Sequence, residues 1–148
     1  MTTDILQTGF ETRPITMQPM WLITYQAPAE DIDRIFDEIR KSEALVHGKT
    51  DNNGYRAPAG TEYYRPRAGT PTGAEQDVRQ RPDVDEMRLF LPRDTDALTR
   101  VIEAIYAVHS YYEPVIIVQD VLRSNCNGLD DSDNPHRWWN TSGDWKTG

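Results

Sequence analysis

The chain has 148 residues, 24 acidic against 16 basic for a formal net charge of −8, and one cysteine, Cys126. That length suits one domain with a real core rather than two, and the acidic balance speaks against nucleic acid or an anionic membrane as a partner. The lone cysteine, an opening stretch without an apolar h-region and the lack of any run near ~18 apolar residues point to a cytoplasmic protein without secretory signal or membrane span.

Residues 1–19 read as a polar N-terminal arm punctuated by Pro14 and Pro19. Residues 20–28, MWLITYQAP, are rich in aromatic and β-branched side chains and stop at a proline, which predicts a strand. A helix pattern follows in AEDIDRIFDEIRKSEAL, with Ile32, Ile35, Phe36 and Ile39 at helical spacing and Glu30 and Asp31 suiting the dipole of the first turn. On its other face Glu30/Arg34, Arg34/Glu38 and Asp37/Lys41 stand at i,i+4, the spacing of a solvated ion-pair surface. Residues 48–86 are full of Gly, Pro and Asn; within them GTEYYRPR has strand character and reads as one arm of a long hairpin. EMRLFLP is the next strand, closed by Pro92. RDTDALTRVIEAIYAVH predicts a second helix, with Asp94 or Thr95 as N-cap and Leu98, Val101, Ile102 and Ile105 on one face. PVIIVQDVL then reads as a buried strand.

The order β-α-β-β-α-β predicts an α+β, ferredoxin-like domain over residues 20–123. Its four-stranded antiparallel sheet would carry two helices on one face. Strand alternation puts Trp21, Ile23 and Tyr25 on one side and Leu22 and Thr24 on the other. The last strand is apolar on both sides, Val115 and Ile117 against Ile116 and Val118. The bare sheet face is therefore expected to be covered, by neighbouring subunits or by residues 124–148. That tail is irregular, and Trp138, Trp139 and Trp145 are expected to pin it down.

The chemistry-bearing residues gather in HSYYEP, residues 109–114, between helix and strand. His109 follows Ile105 by four, on the apolar face near the helix end. There it either complements the helix dipole and bonds a free carbonyl, or serves as a metal ligand or proton-transfer group. Glu113 precedes Pro114; it is either a surface carboxylate at a turn or the partner of His109 in holding a divalent metal ion or moving a proton. In that second reading Tyr111 or Tyr112 orients a substrate. Tyr64, Arg65 and Arg67 form a candidate anion-binding lip, although internal ion pairs are the commoner fate of arginines in so acidic a chain. AGTPTGA lacks the lysine and helix of a Walker loop, and Asp131 and Asp133 lack the glycine and distal glutamate of a calcium loop. Cys126, His136 and His47 are too scattered for a zinc site, and no Gly-x-Ser-x-Gly occurs.

Several of these residues fall into a shared pattern. Gly60, Tyr64, Arg65 and Pro66 match a Gly-x-Gly-x-Phe-x-Pro stretch, and Gly69, Pro71 and Gly73 a Gly-x-x-Pro-x-x-Gly stretch. Glu86, Arg88 and Pro92 match an acidic strand, and His109, Tyr111, Glu113 and Pro114 match His-Pro-Tyr-Glu-x-Pro. With these motifs, residues 20–122 resemble the small insert domain of the Ngg-one-interacting factor three-like family, which also occurs as a free-standing chain of the YqfO type. Departures are Ser110 for the family proline, an added tyrosine beside the glutamate, Glu62 for the second glycine, and KTDNNGYRAP where the family has a cysteine-containing stretch.

The resemblance implies a fold similar to CutA and the PII signalling proteins, commonly trimeric, and hence a homo-oligomer. It implies no activity, because the family's two-metal site lies in flanking halves that this sequence does not contain. Two functional expectations stand. One is a binding or regulatory protein taking a small anion, metabolite or metal ion at clefts between subunits. The other is a small acid–base or metal-assisted enzyme acting on a polar metabolite through His109 and Glu113, with Arg65 and Tyr111 or Tyr112 orienting the substrate.

Overall fold

One long strand organises the sheet, because its two parities do different work. The structure, a computed structural model, describes residues 4–128 and 132–141. In chain order it contains α1 (Ile5–Thr8), β1 (Phe10–Glu11), β2 (Ile15–Pro28), α2 (Ala29–Arg40), β3 (Tyr55–Tyr64), β4 (Arg79–Leu91), α3 (Thr95–Val108), β5 (Val115–Cys126) and a 3-10 turn at Trp138–Asn140. β2 lies between β4, paired from Trp21↔Leu91 to Pro28↔Val84, and β5, paired from Ile15↔Cys126 to Gln26↔Val115. β3 pairs outside β4, and every pairing is antiparallel. The fold is the expected ferredoxin-like one, with the short β1 added beside β2 through Phe10↔Met17 and Glu11↔Thr16.

The odd positions of β2 make the core. Ile23, Tyr25 and Ala27 are buried with Met87, Leu89 and Leu91 of β4, with Ile32, Ile35 and Ile39 of α2, and with Ala97, Val101 and Ile105 of α3. Each fully buried aliphatic side chain here is worth about 1.5–3 kcal/mol relative to exposure. Pro28 ends β2, and α2 begins at the next residue with Glu30 and Asp31 in its first turn. The ion pairs on α2 form at i,i+3, not i,i+4: Arg34 with Asp31 at 2.9 Å, Lys41 with Glu38 at 2.8 Å, and Arg40 with Asp37. Asp31 is buried and fixed by Ser110, so Arg34 turns back to it instead of to Glu30 or Glu38. α2 stops at Arg40, before the expected end of its pattern; the amides of Ser42 and Glu43 fold onto the Ile39 carbonyl, and Leu45, at φ 53°, returns to the core. α3 starts as expected, the Asp94 carboxylate accepting from the Asp96 amide at 2.9 Å.

β2 begins at Ile15, within the stretch the sequence assigns to an arm, and β5 runs to Cys126 to match it. Pro19, which hides this extension in the sequence, falls where β2 passes from β1 to β4 as neighbour, a gap in the ladder that tolerates a residue without an N–H. The face away from the helices is mixed. Leu22, Phe90 and Ile117 form an apolar strip, Ile117 being 42% exposed, beside a polar row in which Gln26 donates to Glu86 at 2.8 Å and Arg88 pairs with Glu86 at 3.0 Å. Trp138 and Trp139 do not cover it by folding onto the core: they remain 65% and 58% exposed. Trp145 and Asp131 lie outside the described residues. Among the described residues no helix is long and apolar enough to cross a membrane.

Candidate functional site

The site starts from an irregularity in the β3–β4 hairpin. The register shifts between Ala57↔Glu86, Gly60↔Val84 and Glu62↔Arg81, with Ala59 at φ 39° and Asp83 at φ 59°. A buried carboxylate holds this bulge: Asp85 accepts the Ala59 amide at 2.8 Å and the Arg56 Nε at 2.7 Å. Those bonds keep the Asp85 carboxyl below the ordinary carboxylate range, the Ala59 amide contributing most. A bulge re-aims the side chains that follow it. Here it sets Glu62 opposite Arg81 and brings Tyr64 against the same guanidinium.

Arg81 lies between two aromatic rings, 4.9 Å from the centroid of Tyr64 and 4.4 Å from that of Tyr111, and its Nη2 donates to the Tyr64 hydroxyl at 2.7 Å. The Tyr111 hydroxyl donates to Glu62. Burial first, and then the bond to Glu62, push the Tyr111 hydroxyl up to about 12. Arg34, Arg40, Arg56, Arg79, Arg88, Arg93 and Arg100 all form ion pairs. Arg81, although half-buried, has no carboxylate partner among the described residues. It borders a cavity of about 470 Å³ lined by Pro28, Glu30, Arg81, Pro82, Asp83, Ser110 and Tyr111. That volume suits a small metabolite. The cavity also reaches the start of α2, where Pro28 supplies no side-chain cap.

The segment 109–114 is bound by three elements. The His109 Nε2 bonds the Gln26 carbonyl of β2 at 2.7 Å, and its Nδ1 accepts the Tyr111 amide at 3.0 Å. An Nδ1 that accepts leaves the ring proton on Nε2, so both nitrogens are spent. Ser110 donates to Asp31 of α2, and Tyr111 to Glu62 of β3. Burial raises the Asp31 carboxyl, but Ser110 and Arg34 together outweigh it and hold the group below its usual value. Arg34 in turn donates to the Val108 carbonyl at 2.8 and 3.1 Å, satisfying the end of α3.

No protein-family profile matches the chain, and no curated protein matches it in sequence. Solved structures do match. A Bacillus cereus protein related to NIF3 superposes with a TM-score of 0.59 at 16% identity, covering 82% of this chain but 32% of that one. CutA1 from Ehrlichia chaffeensis gives 0.51 at 18% identity, covering 78% and 88% of the two chains. CutA1 from the psychrotrophic bacterium Shewanella sp. SIB1 gives 0.50 at 16%, covering 71% and 83%. The chain has the CutA fold. It spans about a third of the length of the Bacillus cereus protein and most of the length of the CutA1 chains.

On this CutA fold, the residues singled out from sequence are distributed unevenly. Tyr64 and Tyr111 meet on Arg81. His109 lies beside them as a fastener between α3, β2 and Tyr111. Glu113 and Tyr112 are exposed, and no bond joins Glu113 to His109. Arg65 and Arg67 are exposed in the hairpin loop beyond β3 and do not line the cavity. Among the described residues, no group of three His, Cys, Asp or Glu is placed to hold a metal ion. Arg81, Glu30, Asp83 and Ser110 are the cavity residues that sequence reasoning missed. The available signal was the alternation Arg79-x-Arg81 before Pro82, which places one arginine on each second position of a strand.

Proposed function

We propose that this protein is a small homo-oligomeric binding protein of the cytoplasm that takes a small anionic metabolite in the recess beside Arg81. One observation carries the reading: in a chain of net charge −8, a half-buried arginine is clamped between two tyrosine rings, borders a cavity and forms no ion pair with a carboxylate among the described residues. Holding a guanidinium in place in advance removes much of the entropy cost of using it, and its remaining donors suit a carboxylate or phosphate. The exposed Arg65 and Arg67 would steer such a ligand toward the recess. His109 supports a structural role better than metal binding or proton transfer, because its ring is committed to Gln26 and Tyr111. The binding reading is therefore favoured over catalysis through His109 and Glu113.

Assembly is supported by the sheet face. Leu22, Phe90 and Ile117 form its apolar strip, and Arg123 stacks over Phe90 at 5.5 Å with its Nε buried and without an acceptor among the described residues. A buried donor without a partner costs about 1–3 kcal/mol. A second subunit on this face would supply the acceptor and cover the strip; a closed trimer is the form the sequence resemblance implies.

The test is calorimetric titration of the wild type and Arg81→Gln with small carboxylates and phosphates. Affinity should fall at least tenfold in the variant, while Arg65→Gln and Arg67→Gln change it little. Equal binding by Arg81→Gln removes the site, and a monomer in sedimentation at micromolar concentration removes the assembly.

A further inference from the structure

Resting on the anion-binding reading above, we infer that the ligand is a small zwitterion, a free amino acid in chemical class, with its carboxylate on Arg81 and its ammonium between Glu30 and Asp83. The same cavity that Arg81 borders is lined by these two carboxylates. Neither has an ion pair or side-chain hydrogen bond among the described residues. Asp77, Asp96, Glu103, Glu113 and Asp133 share that state, while nine other acids pair with arginine or lysine. What sets Glu30 and Asp83 apart is their place on the cavity wall beside Arg81.

A plain anion entering the recess would gain Arg81 and meet two uncompensated negative charges. A plain cation would gain the carboxylates and meet the guanidinium. A ligand carrying both charges a few ångströms apart satisfies all three groups. Arg81 and Asp83 are two residues apart at the bulge of β4 and line the same cavity, so a molecule with adjacent carboxylate and ammonium groups can meet both. Asp83 is also held at φ 59°, the left-handed region that costs a non-glycine residue energy, beside Pro82, whose φ is fixed by its ring. The backbone thereby presents the Asp83 carboxylate at a set place on the cavity wall.

Calorimetry on the full chain tests the inference. Each common free amino acid is compared with its deaminated acid and its decarboxylated amine, in the wild type, Glu30→Gln and Asp83→Asn. Asparagine tolerates the left-handed conformation, so Asp83→Asn preserves the backbone. At least one amino acid is expected to bind tenfold or more tightly than both of its analogues. Each variant should lose most of that preference over the deaminated acid and keep binding of the acid itself. Acids or phosphates that bind as well as any amino acid would overturn the zwitterion and leave the anion site standing. A preference untouched by both substitutions would overturn the assignment of Glu30 and Asp83. Amines that match the amino acids, or no binding by any compound, would overturn the anion site as well.

Discussion

Asp85 offers the sharpest test of how the site is built. Asp85→Ala leaves the Ala59 amide without its acceptor and removes one of the two carboxylates that Arg56 touches, the other being Asp33 at 3.5 Å. An unsatisfied, partly buried amide costs about 1–3 kcal/mol. The Arg56 contribution is smaller, about 0.5–1 kcal/mol, because that side chain is more than a third exposed and its charge is screened. The expected loss is about 2–3 kcal/mol, or roughly 6–10 °C in Tm for a domain of this size. Asp85→Asn retains an oxygen for Ala59 but sets an amide NH2 where Oδ2 accepted from Arg56, so it loses that charge-assisted bond and should cost about 1 kcal/mol. Urea unfolding at fixed protomer concentration measures both. The carboxyl is depressed in the folded chain, so its stabilisation is present above the unfolded value near pH 4 and is lost as pH falls through the lower folded value. Asp85→Asn should flatten that acid limb. An alanine variant within 1 kcal/mol of wild type, or an asparagine variant as damaged as the alanine one, would refute the view that this carboxylate holds the bulge.

The buried Tyr25 hydroxyl donates to the Ile32 carbonyl at 3.1 Å, so Tyr25→Phe should cost about 1 kcal/mol, whereas Ile35→Ala, which empties part of the core, should cost about 2–5 kcal/mol; urea midpoints rank the two, and a reversed order would refute the assignment. Ser110→Ala removes a bond that lowers the Asp31 carboxyl, so its folded value should rise and acid unfolding should begin at higher pH, as followed by circular dichroism; an unmoved acid midpoint would refute it. Trp138 and Trp139 are largely exposed, so changing both to Phe should leave the subunit's stability within about 0.5 kcal/mol. A larger drop in the urea midpoint, dependent on protomer concentration, would place them in an interface instead.

The fold was readable because its signals are periodic. β2 alternates cleanly through Ile23, Tyr25 and Ala27, and α2 and α3 repeat Ile and Val at helical spacing, so element type and order follow from one-dimensional pattern. What escaped was set by neighbours that sequence does not place. The start of β2 at Ile15 depends on pairing with residues more than a hundred positions later, across a proline that normally argues against a strand. Arg34 pairs with Asp31 because Ser110, two residues past the end of α3, holds Asp31 inward.

The site was legible only in part for the same reason. HSYYEP is dense in functional groups, and density is visible in a sequence, but the commitment of each group is not. His109 looked available and is tied at both nitrogens; Glu113 looked like its partner and points to solvent's side of the turn as an exposed residue. Arg81 lies in a stretch that the sequence marks only by its turn residues. Its distinction comes from the register shift at Ala59, which sets Glu62 rather than a neighbouring residue opposite it, and from Tyr111, thirty positions on, arriving at its open face. A slip of one residue in β3 would send Tyr64 and Glu62 to the other side of the sheet. Arg81 would then lose its hydroxyl partner and one of its two rings, and Tyr111 its acceptor. The bulge carboxylate Asp85, which no ligand needs to touch, therefore governs the recess as much as the residues that line it.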